Sequence, residues 1–289
     1  MSTTLSTLGA MKGYQYVRRR LRSLSLSTLL VLGWMLLLTL MIVVPQLLTQ
    51  APPDRMAPTE RLQGPSMTHL LGTDEFGRSI VSRVIYGGRT SLLIALSAVL
   101  LAALLGVPLG TLAGYYGGWV DTLIMRSQDA LLAFPAILFA ILLIATFGPS
   151  PVNLVLTIAI VYIPRFARLQ RGSVLMVKSR QYVEAAHACG VPARGILWRT
   201  ILPNTLSPLI IQATLSIAVA ILIEAGLSYM GLGIQPPDAT WGVMLKTAQT
   251  YLRLAPHYVL APGIFLFLTV LSMNLLGDWL RDRLDPRAR

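Results

Sequence analysis

The stretch SLLIALSAVLLAALLGVPLGTLAGY, residues 91–115, contains no charged side chain and is apolar over most of its length. A helix needs about 20 such residues to cross the roughly 30 Å hydrocarbon core of a bilayer, because each residue adds about 1.5 Å. The stretch therefore predicts a transmembrane helix, and with it a protein whose surface faces lipid.

Five further stretches share this apolar character, and they cover residues 26–48, 130–147, 152–164, 206–227 and 258–277. Charged residues make up 12% of the chain and hydrophobic residues 54%, whereas a water-soluble domain carries about twice that charged fraction. The stretches lack the ten-residue alternation of a membrane β-barrel. The sequence thus predicts an all-α polytopic membrane protein with six transmembrane helices.

Lysine and arginine cluster in three segments: the N-terminal tail, the segment between the fourth and fifth spans, and the C-terminus. The positive-inside rule places all three in the cytoplasm, so that both chain ends lie inside. We attribute the net charge of +12 to this topology and not to nucleic-acid binding, because the basic residues flank spans instead of forming an aromatic-laced patch. The first span is too long for a signal peptide and is interpreted as a retained anchor. The clustered residues are Lys12, Arg18, Arg19, Arg20 and Arg22; Arg165, Arg168, Arg171, Lys178, Arg180, Arg194 and Arg199; and Arg281, Arg283, Arg287 and Arg289.

Missing motifs exclude several classes of enzyme. The chain has no GxxxxGK[ST] phosphate loop and cannot hydrolyse ATP by that route. His69, His187 and His257 are scattered and offer neither metal-ligand spacing nor a Ser-His-Asp set. Cys189 is the only cysteine, so an intrachain disulfide is excluded. We therefore expect a non-catalytic chain that binds no cofactor or metal of its own.

The segment between the fourth and fifth spans predicts two short helices, and we call residues 181–203 the elbow. Residues 181–189 are rich in helix-forming alanine, and Gly190 suits the left-handed conformation that ends a helix. Pro192 suits the first turn of a second helix, which is expected to run until Pro203. From these residues alone, simple packing on the membrane surface remains an open alternative.

The elbow also resembles a known loop. Its pattern is EAA, three residues, glycine, and later leucine-proline. This pattern resembles the signature loop of permease subunits of bacterial ABC importers. Thr200 departs from the pattern, because an isoleucine usually stands at that position; here Ile201 follows one position later. The resemblance implies that the loop, residues 165–205, carries a coupling helix that contacts an ATPase subunit. The residues that match are Glu184, Ala185, Ala186, Gly190, Leu202 and Pro203.

Two other segments resemble the dipeptide, oligopeptide and nickel permeases in particular, and specifically the second, C-type permease of the heterodimer. The first contains GTDEFGR (residues 72–78), SR (82–83) and GGRTS (87–91); the second contains EAGLSYMGLG (224–233), PP (236–237) and WG (241–242). The resemblance covers residues 70–286 and implies the fold of type I importer permeases. We divide the chain into an N-terminal part, residues 1–88, and a core permease domain, residues 89–289.

The resemblance implies a subunit of the bacterial inner membrane that works with a homologous permease, two ATPase subunits and an extracytoplasmic solute-binding protein. ATP and Mg²⁺ would be used by the ATPase subunits. Di- and oligopeptides are the expected substrates, with nickel or metal chelates and glutathione as alternatives. A rival interpretation is an ion-coupled secondary transporter in which Glu224 is the coupling carboxylate.

Two residues are candidates for the pathway or a gate. Glu224, counted from the start of its span, is expected near the outer interface, where solvation or backbone capping is as plausible as gating. Trp241 follows Pro236, Pro237 and Asp238 in a stiff outer loop, and we expect this loop to contact the binding protein or to form a gate.

Four structural expectations complete the sequence analysis. Glycines at positions 106, 110 and 114 predict close helix packing in this bundle or against the sister permease. Pro108 and Pro135 predict bends, and Arg126 and Asp129 predict a surface ion pair. Residues 72–89 have apolar positions at helical spacing and predict an amphipathic surface helix, which would lie along the membrane or touch a delivery protein.

Overall fold

The computed structural model describes residues 26–284, and these residues form helices with one isolated β-bridge between Thr73 and Ser79. Both chain ends, including the basic residues predicted at positions 12–22, 287 and 289, lie outside the described residues. The longer helices are α1 (Leu26–Val43), α2 (Ile80–Tyr116), α3 (Gly118–Leu132), α4 (Ala136–Phe147), α5 (Pro151–Lys178), α6 (Gln181–Ala188), α7 (Leu206–Tyr229), α8 (Trp241–Ala248) and α9 (Pro256–Leu284). Short 3-10 turns cover Pro45–Leu47, Pro58–Glu60 and Gln249–Tyr251.

Four of these helices, α2, α5, α7 and α9, are long and apolar enough to cross a membrane. Helices α3 and α4 make a fifth span if they are counted as one, although they meet at an 89° bend. Pro135 lies at this bend, as predicted, and the span predicted over residues 130–147 runs from the end of α3 through this bend into α4. Helix α1 supplies a shorter apolar stretch, Leu29–Val43. The number of six transmembrane helices and the cytoplasmic location of both chain ends stay predictions. The helices of the structure are compatible with both.

Helix α5 is longer than the sequence suggested. It continues through Pro164 to Lys178, so Arg165, Arg168 and Arg171 lie on a helix that extends past the predicted end of the fourth span. Pro164 is buried against its neighbours, and tertiary packing of this kind can hold a helix together across the one hydrogen bond that proline removes.

Helix α2 begins outside the predicted span. Ser79 caps its N-terminus by accepting a hydrogen bond from the backbone N–H of Ser82, and positive φ angles at Gly72 and Gly77 turn the chain before it. The separate surface helix predicted for residues 72–89 is therefore wrong. Its second half is the first part of α2, which also runs across the predicted division between residues 88 and 89.

Helices α2 and α5 pack backbone to backbone. A β-carbon at Gly106 would lie 2.7 Å from the carbonyl oxygen of Ile163, and one at Gly114 would lie 2.9 Å from that of Arg171; Gly110 faces the carbonyl of Ala167 in the same way. Real β-carbons do not approach so closely, so any larger residue would push the helices apart. The predicted glycine packing is confirmed, and it lies within this chain.

A buried charge cluster ties the segment before α2 to the rest of the bundle. The Asp74 carboxylate is fully buried; it accepts hydrogen bonds from the Nε of Arg78 at 2.6 Å and from the backbone N–H groups of Phe76 and Arg78. Glu75 accepts a hydrogen bond from the hydroxyl of Tyr258 on α9 at 2.7 Å. Buried charges need such partners, because an unpaired one is strongly destabilising.

Candidate functional site

The first arm of the elbow is helix α6, which ends as predicted at Gly190. The φ angle of Gly190 is +74°, its N–H donates to the carbonyl of His187 at 3.0 Å, and the N–H of Val191 donates to that of Ala186 at 3.1 Å. This pair of bonds is a Schellman motif, which satisfies carbonyls left open at a helix end. Gly190 therefore turns the chain sharply between the two arms.

The second arm is helical but irregular. It consists of Ala193–Gly195, a π-helical segment Ile196–Ile201, and Leu202–Asn204. Pro203 has no N–H to donate, and next to it the side-chain amide of Asn204 donates to the carbonyl of Thr200 at 2.6 Å. The second arm ends at Asn204, within one residue of the end predicted at Pro203, and the next helix begins at Leu206.

An apolar cluster anchors the elbow to the transmembrane helices. Val183 on the first arm and Ile196 and Ile201 on the second are buried, together with Tyr115 at the end of α2 and the valines at positions 174 and 177 of α5. The ammonium group of Lys178 adds a hydrogen bond of 2.6 Å to the carbonyl of Tyr115. The inner faces of both arms are thus fixed on α2 and α5, and a displacement of the elbow acts on these helices directly.

The outer face of the elbow is open. Glu184, Ala185, Gly190 and Pro203 are exposed, and Ala186 and Leu202 are half-buried. All six predicted coupling residues therefore lie on the two arms of one compact element. The large apolar side chains Tyr182, Val191 and Trp198 are also exposed on this element. Glu184, Arg194 and Arg199 add exposed charges to these apolar side chains, and such a mixed surface is suited to contact with another protein.

Two ion pairs connect α3 with the extension of α5 that leads into the elbow. Arg171 binds Asp121 at 2.5 Å, and Arg168 binds Asp129 at 2.6 Å. The predicted pair of Arg126 with Asp129 is wrong, because the bend before α4 lays α3 alongside α5. Partners about 40 to 50 positions apart in the chain leave no local signal in the sequence.

Glu224 is fully buried within α7, so the solvated position expected from the sequence is wrong. It accepts a hydrogen bond from the hydroxyl of Ser228 at 2.7 Å, and the hydroxyl groups of Ser91 on α2 and Thr240 before α8 also face it. The sequence could not show this shell, because it is assembled from three separate segments. A role of Glu224 in the pathway or a gate stays a prediction.

Trp241 is also fully buried, at the start of α8. Its indole N–H donates to the carbonyl of Val84 at 3.0 Å, and its ring lies where a β-carbon on Gly88 would meet it at 2.6 Å. Trp241 fixes the loop before α8 onto α2. A role of Trp241 in the pathway or a gate, and a contact of its loop with the binding protein, stay predictions.

Charged and metal-ligating side chains do not gather into a metal site: no group of three or more His, Cys, Asp or Glu residues in the part of the chain that the structure describes could hold an ion. The geometry therefore directs attention to the elbow, an anchored helical element with an open face at the end of two long membrane-spanning helices.

Residues 106–289 match the family model described as the inner membrane component of binding-protein-dependent transport systems. The chain belongs to this family. Members are transport components, and the chain is accordingly a multi-pass permease of the inner membrane that works with other transport subunits. The matched range contains the whole elbow, so the resemblance seen in the sequence is confirmed at the level of the family.

Three curated relatives cover most of the permease. A dipeptide transport system permease protein DppC of Alkalihalophilus pseudofirmus is 42% identical over 94% of this chain and 90% of its own length. A glutathione transport system permease protein GsiD of Pectobacterium atrosepticum is 46% identical over 78% of the permease and 75% of its own length. A di/tripeptide transport system permease protein DppC of Pseudomonas aeruginosa is 44% identical over 81% and 77%.

Solved structures share the fold. An inward-facing methionine ABC transporter chain, MetNI, superimposes with a TM-score of 0.59 at 16% identity, covering 70% of the permease and 96% of that chain. An amino acid ABC transporter structure gives a TM-score of 0.53 at 18% identity, over 70% and 94%. The architecture is therefore that of ABC importer permeases.

Proposed function

We propose that the permease is the second membrane subunit of a heterodimeric ABC importer for di- and oligopeptides. Its partners would be a homologous permease, two ATPase subunits that bind ATP and Mg²⁺, and an extracytoplasmic solute-binding protein. The permease itself is non-catalytic in this proposal. The observation that carries the proposal is the elbow, whose inner faces are fixed on α2 and α5 while its outer face is open.

The mechanism follows from this two-sided arrangement. Closure of the ATPase dimer around ATP would move whatever is docked on the outer face of the elbow. Because Val183, Ile196 and Ile201 are packed against Tyr115, the ends of α2 and α5 must follow. Nucleotide binding would thus shift the permease between an inward-open and an outward-open state, provided that it favours one of them.

The native cysteine provides a direct test. Cys189 is exposed, lies beside Gly190 at the end of the first arm and is the only cysteine of this chain. Inside-out vesicles that contain this permease and its homologous partner, without the ATPase subunits, are treated with a membrane-impermeant maleimide. The reagent should label Cys189, and assembly with the ATPase subunits should protect Cys189 from labelling. Labelling only from the outer side, or labelling that the ATPase subunits leave unchanged, would contradict the proposal.

A second measurement separates the peptide importer from its rivals. Proteoliposomes that contain the whole complex should take up a radiolabelled dipeptide only with ATP and the binding protein. Uptake by the permease alone, driven by an ion gradient, would favour the secondary transporter. Uptake of glutathione but not of dipeptides would favour the alternative that the GsiD relative suggests, since that relative is 46% identical.

A further inference from the structure

A cleft of about 420 Å³ lies beside the start of α2, at the end of that helix opposite the elbow. This volume falls within the roughly 300–1,000 Å³ that is typical of sites for small molecules. Its lining comes from α2, from the start of α5, from the loop before α8 and from the segment before α2. The cleft therefore lies where separate parts of the bundle meet, and the coupling role of the elbow does not account for it.

Two charged side chains in the cleft have no ionic partner among the residues that the structure describes. Arg89 on α2 is half-buried and Asp238 in the loop before α8 is exposed, and neither forms an ion pair with the other or with a third residue of the described chain. Asp54 also lines the cleft but is held by Arg83 at 3.4 Å. The cleft thus offers one cation and one anion to a ligand.

The rest of the lining suits the body of a small peptide. Leu93, Ile94 and Pro151 supply apolar surface, and Tyr86 adds an aromatic ring with a hydroxyl group. A dipeptide carries an ammonium group, a carboxylate and side chains between or beside them. A guanidinium group can bind a carboxylate through two parallel hydrogen bonds, which gives Arg89 a defined role toward such a ligand.

We propose that this cleft binds the transported peptide by its two termini, with Arg89 on the carboxylate and Asp238 on the ammonium group. The inference rests on the proposed import of peptides and adds a substrate-contacting site to it. Glutathione also carries an amine and carboxylates, so the chemistry that the cleft recognises is the pair of opposite charges. The experiment below compares a dipeptide with glutathione to distinguish these two ligands.

Protection of an introduced cysteine measures binding without relying on transport. In the complete complex with Cys189→Ser and Leu93→Cys, a charged methanethiosulfonate reagent added from outside should label position 93, both with and without ATP and vanadate. An unlabelled dipeptide should protect this position, and its C-terminal amide should not. Arg89→Gln should raise the dipeptide concentration needed for protection by roughly tenfold or more, while Arg89→Lys should raise this concentration less.

A matched control distinguishes loss of peptide binding in the cleft from the general effect of removing a positive charge on the same side of the membrane. Arg253 is exposed and lies outside the cleft, so Arg253→Gln should leave protection at the wild-type concentration. Asp238→Asn should weaken protection by the free dipeptide and should have little effect with an N-acetylated dipeptide, which has no ammonium group to lose. Glutathione in place of the dipeptide shows which of the two ligands the cleft prefers.

Three results would overturn the inference: equal protection by the dipeptide and its amide, no protection in a complex that imports the dipeptide, and no labelling of position 93 in either state, which would place the cleft against another chain. Failure of the proposed function looks different. In that case wild-type proteoliposomes import no peptide at all, whatever the labelling of position 93 shows.

Discussion

The guanidinium group of Arg171 donates two hydrogen bonds to the carboxylate of Asp121, at 2.5 and 2.6 Å. Arg171 lies in the extension of α5 that leads into the elbow, and Asp121 lies in the first turn of α3. The pair therefore joins the elbow to α3 and, across the bend at Pro135, to α4. A partly exposed pair contributes about 1 kcal/mol or less to stability, so its main effect concerns how these helices move together.

Reversing this pair should affect coupling more than folding. Asp121→Arg alone places two cations together and should lower ATP-driven uptake severalfold with little loss of protein, whereas Asp121→Arg with Arg171→Asp should restore part of it. The measurement is uptake per ATP hydrolysed in proteoliposomes. Arg126→Ala removes a cation of the same helix that has no ion pair within residues 26–284 and should have no effect. Equal losses in the single and double variants would contradict the prediction.

Substitution of Gly190 should disturb the angle between the arms of the elbow. A side chain at a φ of +74° costs about 1–2 kcal/mol for most residues, and less for asparagine. Gly190→Val should therefore retain membrane insertion but lose most ATP-driven uptake, while Gly190→Asn should retain much more. Gly172→Ala is the control, because Gly172 is helical with open space around it. Similar uptake in the Val and Asn variants would show that the backbone turn is not essential.

Enlarging Gly110 should destabilise the bundle itself. Its side chain would have to occupy the position of the Ala167 carbonyl, and overpacking of this kind typically costs about 1–3 kcal/mol or more. Gly110→Leu should lower the thermal midpoint of the purified complex and its yield. Gly226→Ala, where the nearest atom is 4.0 Å away, should leave both unchanged. An unaltered midpoint for Gly110→Leu would mean that α2 and α5 separate easily.

Neutralising Asp74 should loosen the segment before α2. Asp74→Asn removes the negative charge that faces the buried Arg78 and Arg83, and breaking such a buried pair costs about 3–5 kcal/mol. Limited proteolysis from the outer side should then cleave residues 50–79 faster than in the wild type. Glu60→Gln, at a half-exposed pair with His69, should not change the cleavage rate. If the Asp74→Asn variant is cleaved at the wild-type rate, the charge cluster around Asp74 does not stabilise the segment before α2.

Local patterns in the sequence predicted the local features of the fold. The apolar stretches predicted the spans, Gly190 and Pro192 predicted the two arms of the elbow, and Pro135 predicted the bend between α3 and α4. Features that depend on distant partners were missed, including the pair of Arg171 with Asp121 and the burial of Glu224 among hydroxyl groups from three segments. The extension of α5 past Pro164 was missed for a related reason, because packing overrode the local preference of proline.

Helix α2 is continuous from Ile80 to Tyr116, which at about 1.5 Å per residue makes a rod some 55 Å long. Arg89 lies near one end of it and Tyr115 near the other, and the glycine contacts with α5 hold the half that contains Pro108. One piece of secondary structure thus reaches from the cleft beside Arg89 to the elbow. A displacement imposed on Tyr115 would reach Arg89 along this one helix, past Pro108, the interior position that has no backbone N–H to donate.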